Sequence, residues 1–395
     1  MTESLGEPVR PGAAGLLITD PAFPTPAFVI DRDTLEGNLE RAKRRCRELG
    51  VALRPHLKTH KSVWIARRQM TSPEGPATVS TLAEARAFAA AGVRDLIYAV
   101  GIAPGKLPEV ARIRAAGCDL KIILDEPDTA RMVSGFCRNE GVEIPVLIEV
   151  DCDGHRSGIR PEDTELIETA CALTDGAFLA GVLTHAGASY DEPDVDSIRR
   201  AAENERRGIA RAASRLRAAG FEVPIVSAGS TPTMTCMEDA DGITELRCGV
   251  YALGDLFMMN LGVVKPDEIA GSVLATVIGH QAAKGWVIVD AGWMAMSRDR
   301  GTARQKRDFG YGLVCDVKGR PLRGGKVVMT GANQEHGIIR AVEGGDPLDP
   351  ADFPVGTRLR ILPNHACPTA APYASLFLID KEGRVIEELP HVRGW

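Results

Sequence analysis

The chain has 395 residues, 44% hydrophobic and 25% charged, enough apolar material for a substantial core and too much for wholesale disorder. Its formal charge is −6 with no basic block, so nucleic acid is not the expected partner, and no apolar run approaches the ~20 residues of a membrane span. Nine scattered cysteines without a CxxC pair, and a start lacking a charged-then-apolar leader, read as a reduced, cytoplasmic chain whose thiols are mostly small buried apolar groups.

Residues 1–25 hold four prolines and no periodicity, and are expected to pack on the C-terminal part of the molecule. From about residue 50 to 255, short β-rich runs alternate with helical patterns. Candidate strands fall at 51–58, 78–81, 95–100, 120–125, 146–151, 179–185, 225–229 and 244–249. Thr81-Leu-Ala-Glu84 reads as a capping box opening a helix that stops at Gly92. Leu166, Ile167, Ala170 and Leu173 keep helical spacing up to Gly176, and Ile198, Ala202, Ile209 and Leu216 mark a longer helix closed by Gly220. Only the segment after the seventh strand is too short to read as a helix. Eight alternations predict an α/β fold, a (β/α)8 TIM-type barrel over 26–264. An open doubly wound sheet is the alternative, but it wants a Gly-rich turn after its first strand, and none is present. Beyond residue 265 strands are expected at 272–279, 285–290, 312–316, 326–330, 357–362 and 373–380, separated by Gly, Pro and Asp turns. That predicts a smaller all-β domain over 265–395.

Active residues of such barrels gather at the C-terminal ends of the strands. The first end delivers Arg54-Pro-His-Leu-Lys58. A lysine in a barrel mouth is a nucleophile toward carbonyls once desolvation or a neighbouring cation lowers its pKa; the plainer reading is a salt-bridged lysine. The seventh and eighth ends carry Gly229-Ser230-Thr231 and Gly249-Val250, rich in exposed backbone donors, where such barrels hold phosphate. Lysine plus phosphate cradle fits pyridoxal 5′-phosphate (PLP), which bears both an aldehyde and a phosphate. A Schiff-base sugar-phosphate aldolase is the generic competitor, without need of the β-domain. Arg156, His185 and Tyr190 follow other strand ends and are candidates for the pyridine ring. In the β-domain, His365 and Cys367 stand two apart; in extended backbone both face one side and can converge on one ion, sulfur plus nitrogen favouring zinc. Gln334-Glu335-His336-Gly337 is a second polar cluster that could face the same cleft.

Arg54-Pro-His-Leu-Lys-Thr59, Asp153-Gly-His-Arg-Ser-Gly158, Leu183-Thr-His-Ala-Gly187, Gly229-Ser-Thr-Pro-Thr233, Gln334-Glu-His-Gly337, Pro363-Asn-His-Ala-Cys367 and the stretches 290–306 and 308–312 carry a family resemblance. From about residue 25 onward the chain resembles the alanine-racemase-like (fold type III) PLP enzymes, in the D-threonine aldolase/D-serine dehydratase branch. The resemblance implies Lys58 as the Schiff-base lysine. It implies phosphate contacts around Gly229, Ser230, Thr231, Gly249 and Val250, and His56 joins Arg156, His185 and Tyr190 as a candidate cofactor contact. It also implies a divalent metal on His365 and Cys367, zinc favoured over magnesium or manganese. Aldolase members tend to carry Asp where this chain has Cys367, so the resemblance favours loss of water over C–C cleavage. The implied reaction is PLP- and metal-dependent dehydration of D-3-hydroxy amino acids, D-threo-3-hydroxyaspartate foremost, with D-serine or D-threonine as alternatives, in a homodimer. Aldol cleavage to glycine is the competing reading. An amino-acid racemase would need a second base and no metal, and a non-catalytic PLP-binding protein would need no β-domain. Arg298, Arg300 and Arg304 are near in sequence to the implied site and could serve a substrate carboxylate.

Overall fold

The computed structural model describes residues 12–395 except Glu343; the remainder of the N-terminal segment lies outside the described residues. The first strand, β1 (Ala27–Asp31), does not enter the barrel, although the sequence reading began the barrel at residue 26. It pairs antiparallel with a strand beginning at Gly271 and parallel with one at Ser375–Ile379. Asp31 then caps the helix Arg32–Glu48 by accepting from the Thr34 N–H, so the barrel layer starts with a helix.

Eight parallel strands follow: β2 (Ala52–Leu53), β3 (Ala77–Val79), β4 (Asp95–Gly101), β5 (Asp119–Leu124), β6 (Ile144–Val150), β7 (Ala177–Thr184), β8 (Ile225–Ala228) and β9 (Glu245–Leu246). They run β2-β9-β8-β7-β6-β5-β4-β3, and a bridge between His56 and Thr78 closes the ring. All seven residues of β6 are buried, as expected of a parallel strand covered on both faces. Inside the ring, alternate residues form layers. Arg54, Asp95, Lys121 and Glu245 make a charged lower layer, and Ile97, Ile123, Leu147 and Leu183 an apolar one. Above these, the strand ends open into a cavity.

Thr81 caps the helix Leu82–Ala90 as read from the sequence, but the return bond of Glu84 goes one residue earlier, to the Ser80 N–H. The helix Val195–Ala218 buries Ile198, Ala202, Ile209 and Leu216, and on the same face Glu205. After β8 a one-and-a-half-turn helix, Thr231–Cys236, forms with a full Ser230–Thr233 capping box.

The remaining strands are β10 (Gly271–Gln281), β11 (Trp286–Val289), β12 (Gly312–Cys315), β13 (Val327–Ala332), β14 (Gly337–Ala341), β15 (Arg358–Pro363), β16 (Ser375–Ile379) and β17 (Val385–Pro390). The eleven-residue β10 pairs with β1 and β15 along its first half and with β11 along its second. Six strands therefore close as β10-β15-β12-β13-β14-β11, and β1-β16-β17 extend from them. Ala13, Ile18 and Phe23 pack on this extension, Phe23 edge-on to Phe377 at 5.0 Å. One continuous core joins barrel and β-domain, with Val226 and Ile148 in the same cluster as Val273, Met329 and Ile361. No helix among the described residues is long and apolar enough to cross a membrane.

Candidate active site

A cavity of about 320 Å³ lies between the C-terminal ends of the barrel strands and the β-domain. Lys58 sits on a short turn after β2, and its ammonium makes no hydrogen bond or ion pair among the described residues. An amine left unpartnered inside a site is available for chemistry. Beside it, His56 Nε2 is 3.3 Å from Ser80 Oγ. Burial, with Lys58 and Arg247 nearby, drives His56 well below the usual imidazole range and His185 down to about 3. Both rings are therefore neutral at pH 7. His185 Nδ1 faces the Gly229 carbonyl at 3.4 Å, which can only accept, so that nitrogen carries the proton. His185, Tyr190 and Phe257 form a tilted aromatic wall with centroids 5.9 and 6.2 Å apart.

The far wall is backbone. Gly229 has φ +113°, and a Cβ there would lie 2.9 Å from the Arg247 carbonyl; one at Gly249 would lie 3.0 Å from that of His56. Tyr251 N–H donates to Thr231 Oγ1 at 3.2 Å, which ties the two loops together. Ser230 N–H is taken by Thr233 and Gly229 N–H by Glu205. The N–H groups of Thr231, Gly249 and Val250 have no acceptor among the described residues. Such a cradle fits a phosphate.

On the opposite side, Cys367 Sγ is 3.2 Å from Thr59 Oγ1, next to Lys58 in the chain. His365 Nδ1 is 2.7 Å from Asp299 Oδ2. The backbone between them differs from the extended HxC expected. His365 is extended (φ −136°, ψ 112°), but Ala366–Ala370 is a helix with Cys367 in its first turn. β15 stops at Pro363, and Pro368 sits in the first turn of the helix that follows, where its missing N–H needs no intrahelical acceptor. The two side chains thus converge at a strand-to-helix corner. Burial pushes the thiols of Cys46, Cys152 and Cys315 up to about 12. Cys367 goes the other way: burial opposes its charge, but His365, Lys58 and Thr59 outweigh it and hold the thiol below its ordinary value. A thiolate beside an imidazole suits a soft or borderline divalent ion. No group of three or more His, Cys, Asp or Glu side chains placed to hold a metal ion occurs among the described residues.

His56, Lys58, Arg156, His185 and Tyr190 thus line the same cavity as the 229–231 and 249–250 loops and the His365–Cys367 pair. Sequence reading missed five more charged or hydroxyl-bearing residues of the lining. Arg247 is 5% exposed and donates to Ser227 Oγ and the Thr184 carbonyl; burial lowers it to about 10. Glu149 pairs with Arg156 at 3.0 Å. Asp255 accepts from the Ala366 N–H at 3.0 Å; burial holds its carboxyl above the ordinary range. Ser80 and Asp299 complete the set. Period two along the strands carried the signal for two of them: Glu149 and Arg247 lie two residues beyond the inward-facing Leu147 and Glu245.

Other expectations fail. Gln334, Glu335 and His336 are exposed in the turn between β13 and β14, away from the cavity. Arg298 lies 4.2 Å over the Trp293 ring, Arg300 pairs with Asp308 and Arg304 reaches toward Asp191 at the surface; none lines the cavity.

The fold and this lysine-bearing cavity define a two-domain protein of the alanine-racemase type. The chain belongs to the family described as alanine racemase, N-terminal domain, which matches residues 30–256; a putative serine dehydratase domain matches 270–379. It is 51% identical over 374 residues to the D-threo-3-hydroxyaspartate dehydratase of Delftia sp. (strain HT23), covering 94% of this chain and 98% of that one. The solved structure of the Delftia enzyme superposes with a TM-score of 0.92 at 50% identity, over 96% of this chain and 100% of the other. A cysteine-to-alanine variant of it, described as in the metal-free form, gives 0.93 at 49% identity, over the same shares of the two chains. D-threonine aldolase from Filomicrobium marinum is similar at 25% identity and TM-score 0.80, over 95% and 97% of the two chains.

Proposed function

We propose that this protein is a PLP- and divalent-metal-dependent lyase that removes water from D-3-hydroxy amino acids. Its preferred substrate is D-threo-3-hydroxyaspartate, converted to oxaloacetate and ammonia. The observation that carries this reading is that His365 and Cys367 line the cavity beside the Lys58 turn, with Cys367 Sγ 3.2 Å from Thr59 Oγ1 and its thiol held below the ordinary value. When bound, PLP supplies an electron sink for charge at the substrate Cα, and the metal supplies Lewis acidity to the departing hydroxyl.

The chain's own residues do the rest. Lys58 is the candidate to hold the cofactor and, once free, to take the Cα proton. With no carboxylate partner among the described residues, its amine is available. The N–H groups of Thr231, Gly249 and Val250 would receive the phosphate, without a cationic side chain in competition with the metal. Neutral His56 and His185, with Tyr190, give the ring an uncharged, water-poor wall. Arg156, paired with Glu149, is available to a ring substituent. His365 and Cys367 orient the hydroxyl side of the substrate. Nine unpaired thiols support a reducing, cytoplasmic setting. The homodimer rests on the family resemblance and is read by light scattering.

The test is a panel of D- and L-3-hydroxy amino acids with products identified, run before and after chelation. Metal-dependent release of ammonia and a 2-oxo acid from the D-isomers is expected. Glycine plus an aldehyde as the main products from D-threonine would make the protein an aldolase, and undiminished turnover after complete chelation would remove the metal from the reading.

A further inference from the structure

A histidine can offer either ring nitrogen to a metal, and which one is free depends on what the other nitrogen touches. His365 Nδ1 lies 2.7 Å from Asp299 Oδ2. An ionised carboxylate only accepts, so Nδ1 holds a proton toward Asp299, which leaves Nε2 as the nitrogen on the other side of the ring. The same imidazole lines the cavity together with Cys367.

Asp299 is itself held in place. Its Oδ1 accepts from the Gly301 N–H at 2.8 Å, and its own N–H donates to Ser297 Oγ at 3.1 Å. Gly301 must be glycine, because a Cβ there would lie 2.7 Å from the Phe257 ring. Asn364, the neighbour of His365, donates to the carbonyls of Asp299 and Gly310 and accepts from Thr302 Oγ1. The turn bearing the carboxylate and the corner bearing the imidazole are thus clamped to each other, although Asp299 and His365 are 66 residues apart. A side chain that only filled space would not need both oxygens committed in this way.

We infer that Asp299 is a positioning residue for the metal. It holds His365 as the Nδ1–H tautomer with Nε2 aimed at the ion and so sets metal affinity. A carboxylate behind a ligating histidine fixes its orientation and raises its basicity, and removing one commonly costs ~10–100-fold in metal binding. The inference rests on the proposed metal role of His365 and Cys367.

The experiment measures the dissociation constant of Mn2+ or Zn2+ by chelator competition on PLP-loaded wild type, Asp299→Ala, Asp299→Asn and His365→Ala. Asp299→Ala is expected to bind ~10–100-fold more weakly. Asp299→Asn, which keeps an acceptor oxygen but loses the charge, is expected to fall between it and wild type. The visible cofactor band and the melting temperature of the Asn variant are expected to stay at wild-type values, which separates positioning from a fold defect. Wild-type metal affinity in both Asp299 variants, with affinity lost in His365→Ala, would overturn the inference alone. Wild-type affinity in His365→Ala would remove the metal reading beneath it.

Discussion

Glu205 is a carboxylate on the apolar face of a helix, fully buried, one layer behind the cavity. Its Oε1 accepts from the Gly229 N–H at 2.9 Å and the Ala186 N–H at 3.1 Å, while Oε2 has no partner among the described residues. These two N–H groups begin the 229–231 loop and follow His185, so one carboxyl sets both corners. Glu205→Leu strands two buried donors at ~1–3 kcal/mol each, a loss of ~2–6 kcal/mol, with weaker PLP binding because the cradle loosens. Glu205→Gln keeps the acceptor and should lose little near neutral pH or below. The pH dependence separates the two forms of the side chain. Burial raises the native carboxyl above its ordinary range, so across the interval between the ordinary and native values the folded chain binds the extra proton. Stability then falls as pH rises through that interval, by up to ~1.4 kcal/mol per pH unit, and Glu205→Gln is spared this fall. Urea denaturation of wild type and both variants from pH 4 to 9, with PLP affinity measured in parallel, tests the reasoning. Superimposable pH profiles for wild type and Glu205→Gln, or a Glu205→Leu protein within ~0.5 kcal/mol of wild type, would refute it.

Lys58→Ala should abolish the visible absorbance of lysine-bound pyridoxal; a band of normal intensity would remove Lys58 from its role. Gly249→Ala drives a methyl to 3.0 Å from the His56 carbonyl and 3.1 Å from Thr59 Oγ1, and is expected to weaken PLP binding at least ~10-fold as the lysine turn and phosphate loop separate. Gly105→Ala, with nothing within 4 Å, is the control. If the two glycine variants retain the cofactor equally in dialysis, the packing account of the loop fails. Arg54 is 3% exposed and bonds Glu245 at 2.7 Å and Asp95 at 2.8 and 3.0 Å. Arg54→Met leaves Glu245 buried without its cation and should cost ~3–5 kcal/mol in denaturant titration; less than ~1 would mean the layer contributes nothing as a network.

The barrel was legible because its parallel strands are short apolar runs between helices with their own stop signals. Gly92 and Gly220 follow their helices with φ of +100° and +93°, a conformation only glycine adopts readily, whereas the helix Glu165–Cys171 already ends at its Ala172 cap, short of Leu173 and of Gly176. Three strands were not legible. The residues of β1, Ala27–Asp31, look like any short apolar run, and what makes them a strand is pairing with β10, more than 240 residues later. Short β14 and the mostly exposed edge strand β17 lack a strong alternating pattern and borrow stability from their neighbours. The His365–Cys367 spacing was visible, but its geometry was not, because the chain turns from β15 into the helix Ala366–Ala370 between the two residues.

The lysine, the small-residue loops and the histidine–cysteine pair are local patterns, and the order of residues alone determined them, together with the eightfold alternation that predicts a barrel. The tertiary structure decided which groups answer them. Asp299 behind His365, Glu205 under Gly229, Arg247 and Asp255 at the cavity wall all meet partners 19 to 111 residues away. Hydrogen bonds and charge act over a few ångströms of space, whereas sequence separation measures only distance along the chain; until the ring closes and the β-domain caps it, nothing distinguishes these carboxylates and this arginine from the many on the surface.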